Sequence, residues 1–383
     1  MKRKGFTLIE LLAVILILGI IALIAIPVTT KMIEQSKLSG FETTVNNVVI
    51  AAEDNCRMQL LNGETITNEY TFTDAGVTPS LELKGNLPNE GNIFVDSNCN
   101  SFVSVSNENF SATKKVDTDK IKVTKGNVIY DTFSNGDIVY FNPETATECT
   151  VTDYTTNVIS SKTENISGCM KWYAFGDAGS SSKFINLLLD HNTTAITPWN
   201  TSGINSDGPT KVLEELTSDT KKWSTILNVP IEYNITQKSN NGSSTYTLDY
   251  SGYKARLISG NEIAAITGNS VWSQSDLASN IFYLENNAKT ALATCSSGNI
   301  TNCKVGWLSD RTSPFCATYG CANNALFPPM TFGYWTSSAL ASSADSAYDI
   351  TISNAAMLVY SNTTSATSFG VRPVITVLKN MLS

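Results

Sequence analysis

The residues whose types and order point most directly to chemistry stand at the start of the chain: Met1-Lys2-Arg3-Lys4-Gly5-Phe6-Thr7-Leu8-Ile9-Glu10. Glu10 is the single acid in an otherwise apolar run that reaches Pro27. A carboxylate at membrane depth costs about 2.5–3.5 kcal/mol on insertion scales. A segment needed only as an anchor gains nothing from that acid. Glu10 therefore calls for a positive partner supplied by another molecule.

Other reactive constellations are weaker. The one histidine, His191, lies beside Asp190 in Leu189-Asp190-His191-Asn192. No nucleophile is identified for it, so it reads as a packing histidine. The chain has no G-x-S-x-G, Walker A or G-x-G-x-x-G motif. Asp96-Ser97-Asn98-Cys99-Asn100 offers oxygen ligands but lacks the Gly and the distant Glu of a calcium loop. The expectation is a protein that is not an enzyme, with no metal site and no cofactor.

The 8 cysteines are Cys56, Cys99, Cys149, Cys169, Cys295, Cys303, Cys316 and Cys321. An even number on an exported chain suggests disulfides. Proximity favours Cys295 with Cys303 and Cys316 with Cys321; Cys56 with Cys99 and Cys149 with Cys169 are weaker pairings. No C-x-x-C occurs, which leaves structural zinc poorly provided. The net charge is −8, and loss of Lys2, Arg3 and Lys4 would make it more negative still. An acidic body excludes direct nucleic-acid binding as a leading function.

The first residues resemble the N-terminus of type IV prepilins and their pseudopilin relatives. Lys4-Gly5-Phe6-Thr7-Leu8-Ile9-Glu10-Leu11 carries the resemblance, and Gly19 and Pro27 fall where that family commonly has them. The resemblance implies cleavage between Gly5 and Phe6 by a prepilin peptidase, with methylation of the new amine on Phe6. It implies that Glu10 pairs with the N-terminal amine of a neighbouring subunit. A secretory signal peptide has a shorter apolar region followed by an A-x-A-like site. A plain anchor fits the length and the preceding cations, but not the order Gly-Phe-Thr-Leu-Ile-Glu.

These residues need elements to position them. Pro27 kinks a strongly helical stretch rather than ending it. Beyond it, Phe41, Val45, Val48, Ala52 and Cys56 form one apolar stripe at steps of three or four. Lys31, Glu34, Asn46, Asn47 and Glu53 occupy the opposite face. From residue 62 the pattern becomes short strands, at 69–72, 91–95, 102–106, 121–125, 128–133 and 137–141, separated by Gly, Asn and Pro. Residues 142–167 hold few apolar side chains and read as an irregular linker. Strands follow at 171–175 and 184–189, a helix at 209–223, a capping box at Ser259-x-x-Glu262 and closing strands at 333–338 and 370–378.

The later region resembles the formylglycine-generating-enzyme-like, C-type-lectin-like superfamily. The segments are Tyr253-Lys254-Ala255-Arg256-Leu257-Ile258-Ser259-Gly260-Asn261-Glu262, Gly333-Tyr334-Trp335-Thr336-Ser337-Ser338 and Phe369-Gly370-Val371-Arg372-Pro373-Val374. In such folds Arg256, Trp335 and Arg372 are expected to stabilise structure. The reactive cysteine pair of the enzymes is not visible at matching positions. Neither Glu-Pro-Asn nor Gln-Pro-Asp, the calcium loops of sugar-binding lectins, is present.

The expected class is α+β: a long N-terminal transmembrane and assembly helix packed on a small antiparallel β-sheet, as in a pilin fold, followed by a C-type-lectin-like α+β domain. The expected boundaries are a leader at 1–5, the helix at 6–60 with 6–28 in the membrane, a β-rich domain at 61–145, a linker at 146–168 and the lectin-like domain at 169–383. The resemblance implies a minor or tip-located type IV pilin-like subunit that displays a domain for adhesion. The alternatives are a pseudopilin of a type II secretion or competence system, or a surface-anchored enzyme of the formylglycine-generating fold. Expected partners are prepilin peptidase, other pilin subunits, pilus or secretion assembly machinery and a surface or glycan ligand. The chain would start as a single-pass protein of the cytoplasmic membrane, N-terminus inside, and end at the cell surface.

Overall fold

The computed structural model describes residues 8–83, 87–95, 98–114, 120–126, 130–160, 168–179, 182–268, 282–283, 305–310, 312–321, 332–352, 356–365 and 369–382. The chain divides into two compact units, one built mainly from residues up to 128 and the other mainly from residue 129 onward.

The first unit begins with α1 (Leu8–Asn62), a single helix with Pro27 inside it. Leu and Ala in its first half favour the helix by propensity, while its β-branched Ile residues favour it less. Pro27 removes one backbone donor. Around it the Thr29 hydroxyl donates to the Ala25 and Ile26 carbonyls at 2.9 and 3.0 Å, and the Thr30 hydroxyl to Ile26 at 2.8 Å. Such back-bonding is a common resting place for hydroxyls inside a helix and often bends it slightly.

Six antiparallel strands follow: β1 (Glu69–Thr73), β2 (Gly76–Thr78), β3 (Glu90–Val95), β4 (Ser101–Ser106), β5 (Phe110–Lys114) and β6 (Lys122–Lys125). Their order in the sheet is β2-β1-β3-β4-β5-β6. In β1 the period-two pattern is plain, with Tyr70 and Phe72 buried and Glu69, Thr71 and Thr73 exposed. Gly91 (φ +112°) permits the close approach of β3 to β4: a Cβ there would lie 2.2 Å from the Ser104 carbonyl oxygen.

The second half of α1 packs on this sheet. Phe41, Val45, Val48, Val49, Ala52 and Cys56 are buried with Ile93, Phe102, Val103, Phe110 and Ala112. Phe41 stacks on Phe110 with 6.2 Å between ring centres. Polar pins reinforce the packing. Asn55 donates to the Tyr70 hydroxyl at 2.6 Å, and Lys125 pairs with Glu34 at 2.8 Å. Glu53, expected on the solvent face, is instead half-buried. It accepts from Ser101 at 2.7 Å and faces the buried Lys114 ammonium at 3.6 Å.

The second unit contains two five-stranded sheets. The first runs β18-β10-β9-β7-β8, from β7 (Ile138–Asn142), β8 (Thr147–Glu148), β9 (Met170–Phe175), β10 (Phe184–Leu189) and β18 (Val374–Leu378). The second runs β13-β16-β15-β14-β17, from β13 (Phe282–Tyr283), β14 (Gly333–Ala339), β15 (Ser346–Ile352), β16 (Ala356–Asn362) and β17 (Phe369–Gly370). All pairs are antiparallel except β14 with β17. A hairpin of β11 (Ile235–Ser239) and β12 (Ser244–Leu248) pairs only within itself and is tied to β14 by Tyr246, which donates to the Ser337 carbonyl, and by Gln237, which accepts from the Ala339 amide. The helices are α2 (Val151–Ser160), α3 (Thr210–Asp219), α4 (Gly260–Thr267) and α5 (Cys316–Tyr319). Tyr173, Phe175, Leu188, Ile258, Ile263, Trp307, Leu308, Tyr334, Ile350 and Val374 share one core.

Several expectations need correction. The strand at 137–141 was grouped with the β-rich domain 61–145, but β7 pairs with β9 in the second unit. The linker at 146–168 contains β8 and α2 instead of irregular chain, held by pairing with β7 and by a cap that composition does not reveal. Residues 130–133 form no strand. The helix expected over 209–223 ends at Asp219, where Thr220 (φ −97°, ψ 7°) leaves helical geometry. Trp223 then buries itself against Trp172, ring centres 5.7 Å apart.

The ends of the second unit meet at one side chain. Asp177 accepts from the Phe133 amide at 2.7 Å, from the Gly179 amide at 2.8 Å and from the Lys379 ammonium at 2.6 Å. Lys379 and Asp177 side chains are buried, at 0% and 5% exposure.

Candidate functional site

The N-terminal site is built on α1. Gly5 and Phe6 lie outside the described residues; Glu10 lies on α1, and its side chain is outside the description. From Leu8 to Ile33 the described large apolar side chains point outward: Leu8 is 87% exposed, Leu23 78% and Ile33 56%. At 1.5 Å per residue this stretch spans about 38 Å, enough for the roughly 30 Å hydrocarbon core of a bilayer. Among the described residues, α1 is the helix long and apolar enough to cross a membrane. Each large aliphatic side chain withdrawn from water contributes about 1.5–3 kcal/mol, so this surface demands lipid or other helices around it. A Cβ at Gly19 would meet nothing within 4 Å. Its own fold therefore does not require glycine there, although glycine inside a helix costs about 1 kcal/mol relative to alanine.

In the second unit the residues singled out by the sequence are buried ties. Arg256 donates to both oxygens of Glu262, at 2.7 and 2.9 Å, and to Asn186 at 3.2 Å, while its guanidinium lies over the Tyr233 ring at 3.9 Å. Its backbone pairs with Val374. Glu262 also completes the capping box with Ser259 that starts α4. Trp335 donates its indole N–H to the Thr197 carbonyl at 2.8 Å and packs on Phe369. Arg372 donates to the carbonyls of Leu189 and Leu308, at 2.6 and 3.1 Å, and its Nη2 has no hydrogen-bond partner. Gly333 and Gly370 sit where side chains cannot fit: a Cβ would lie 1.7 Å from the Ile350 oxygen and 2.3 Å from the Thr194 oxygen.

A buried polar centre surrounds Asp190 and His191, the neighbours noted in the sequence. The imidazole Nδ1 and Asp190 Oδ1 are within hydrogen-bond distance. The Tyr154 hydroxyl donates to Asp190 Oδ2 at 3.4 Å. Tyr173 donates to Asp310, which Lys171 faces at 3.4 Å. Burial and the Asp190 charge push the Tyr154 phenol up, and burial and Asp310 do the same to Tyr173. Burial also pushes the Asp310 carboxyl up, but hydrogen bonds from Tyr173 and Thr312 outweigh it and hold the group below the ordinary carboxylate range. Asp349 is the contrary case. It is fully buried on β15 opposite Trp335 and Val359, and neither of its oxygens has a hydrogen-bond partner. Burial pushes its carboxyl well above the ordinary range. No signal in the sequence distinguishes Asp349, Tyr154 or Asp310, because each acquires its surroundings from distant strands.

Two disulfides are seen, Cys149–Cys169 and Cys316–Cys321. Cys56 and Cys99 are also disulfide-bonded, and Cys295 and Cys303 lie outside the described residues. In the calcium candidate, Asp96 and Ser97 lie outside them too. Among the described residues no group of three His, Cys, Asp or Glu side chains could hold a metal ion.

The family model of the prokaryotic N-terminal methylation motif matches residues 1–26. The N-terminus is thus type IV pilin-like, of the kind pilins and pseudopilins share, and implies processing by a prepilin peptidase and assembly with pilus machinery. The apolar helix that follows is consistent with membrane insertion before assembly. No curated protein and no solved structure matches the chain.

Proposed function

We propose that the chain is a structural subunit of a type IV pilus, held by α1 in a bundle of like helices and displaying its second unit for adhesion. The observation that carries the reading is the methylation motif at 1–26 running directly into the outward-facing apolar stretch Leu8–Ile33. In the bundle, Glu10 meets the methylated amine of Phe6 on an adjacent subunit. The pairing offsets the cost of burying the acid and sets the axial register. The sheet of the first unit holds the second half of α1, and the second unit is the displayed module. A unit of about 250 residues on every subunit would crowd a shaft, so the subunit belongs at the tip or in minor positions. The displayed module binds a surface or glycan ligand, and Arg256, Trp335 and Arg372 hold its frame.

N-terminal mass spectrometry of protein sheared from the cell surface tests the reading. The expected species starts at Phe6 and carries one added methyl group. Recovery of surface protein that still begins at Met1 would refute it.

A further inference from the structure

The single histidine of the chain lies beneath two short helices. His191 is 1% exposed and the Asp190 side chain 0%. From one side, Tyr154 of α2 reaches Asp190, and its ring meets Phe315 edge-on. From the other, Phe315 at the start of α5 stacks on the imidazole with 4.7 Å between ring centres, and Tyr319 at its end flanks the ring at 5.8 Å. Among the described residues, α2 and α5 therefore cover the pair.

Neither helix sustains itself. α2 reads Val-Thr-Asp-Tyr-Thr-Thr-Asn-Val-Ile-Ser, rich in β-branched and hydroxyl side chains that favour other conformations. It is shorter than the roughly 12–15 residues an isolated helix needs, and most of its residues with a described side chain are exposed. α5 is a single turn. Each is bracketed by a disulfide: Cys149–Cys169 spans α2 and Cys316–Cys321 spans α5. The floor differs in kind. Asp190 and His191 follow β10, which is paired on both sides, with β18 and with β9.

We propose that the Cys149–Cys169 and Cys316–Cys321 disulfides form a redox-controlled cover over the Asp190–His191 pair. Oxidised, the two straps hold α2 and α5 down and keep the imidazole from solvent. Reduced, they open by local unfolding while the sheet around β10 stays folded, and the imidazole becomes reachable. Opening is a thiol–disulfide exchange with a dithiol. One thiolate of the dithiol attacks a cystine sulfur, and the second displaces the protein thiolate. The two hydrogens of the dithiol end on the protein thiols, and the reagent leaves as a disulfide. Closing is the reverse exchange with a disulfide oxidant. The inference stands independently of the filament reading.

The test is the acylation rate of His191 by diethyl pyrocarbonate, followed by peptide mass spectrometry on the full-length protein in detergent. Four samples are compared: oxidised wild type, wild type with dithiothreitol, the Cys149→Ser/Cys169→Ser variant and the Cys316→Ser/Cys321→Ser variant. Amide hydrogen exchange of β9, β10 and β18 is read in parallel. The expected result is acylation about tenfold faster or more in the reduced protein and in each variant, with the three strands as protected as in the oxidised wild type. An unchanged rate overturns the proposal. So does a faster rate that comes with lost protection across β10 and β18, since the whole unit would then have opened. Acceleration in one variant alone removes the other disulfide from the cover.

Discussion

Arg256 and Glu262 form a two-pronged pair in which the carboxylate that receives the guanidinium also caps α4. One acid thereby ties the β18 side of the unit, through the Arg256–Val374 bridge, to the start of a helix. Loss of either partner strands the other. Arg256→Met leaves the cap without its cation, and Glu262→Gln leaves a buried guanidinium without its anion. Each is expected to cost about 3 kcal/mol, because breaking a buried pair is far worse than replacing both members. Urea unfolding of the two variants and of the double variant checks this. The double variant should lose clearly less than the sum of the singles.

Asp349 gives the second unit an unusual pH dependence. Its folded carboxyl titrates above the unfolded one, so the folded state binds more protons, and stability falls as pH rises above the unfolded value of about 4. Asp349→Asn has nearly the same shape and no charge to bury. Its advantage over wild type is expected to grow with each pH step above about 4, by about 2–4 °C in Tm per kcal/mol. Thermal unfolding of both proteins from pH 4 to 8 measures the difference. A constant offset would show that the carboxyl is not held protonated.

Asp177 behaves in the opposite sense. Burial raises its carboxyl, but hydrogen bonds from Lys379, Phe133 and Gly179 prevail and hold it below the ordinary value. A lowered folded value contributes stability above the unfolded pKa that is lost as pH falls through the folded one. Asp177→Asn should therefore cost about 3–5 kcal/mol near neutrality and progressively less below pH about 4. Denaturant titrations at pH 7 and pH 3 distinguish this from a pH-independent packing defect.

At the N-terminus, Glu10→Ala removes the membrane-depth acid. Insertion should be unchanged or improved, by up to about 3 kcal/mol on insertion scales, while recruitment into filaments falls. Gly5→Leu should leave the precursor uncleaved and unassembled. Fractionation of cells into membrane and sheared surface material reads both. Normal surface recovery of the Gly5→Leu protein in uncleaved form would contradict the assembly role given to the motif.

The packing of α1 on its sheet is equally open to measurement. Phe41→Ala empties a site filled by ring contact with Phe110. A cost of about 3–5 kcal/mol to the first unit is expected, with the second unit's unfolding unaffected. Domain-resolved hydrogen exchange separates the two.

Periodicity carried part of this architecture. The stripe Phe41, Val45, Val48, Ala52 and Cys56 is buried as its spacing requires, and the Ser259–Glu262 box caps α4. Both are local signals, decided within a turn or two. The edge of the second unit was not legible, because β7 reads like its neighbours in sequence and differs only in pairing with β9. α2 was hidden for a related reason: its composition disfavours a helix, and the contacts that hold it come from Asp190 and Cys169. β15 alternates Tyr348, Ile350 and Ile352 with Asp349 and Thr351, a pattern that reads as a strand with one wet face and gives no sign that Asp349 is buried too. The centre around Asp190, Tyr154 and Asp310 joins residues up to 156 positions apart in number, and no spacing rule reaches that far.

The carboxylate of Asp177 holds both the incoming stretch at Phe133 and the outgoing stretch at Lys379. One acid thus fastens the beginning of this long run to the close of its last strand, so neither stretch can peel away without unseating the other.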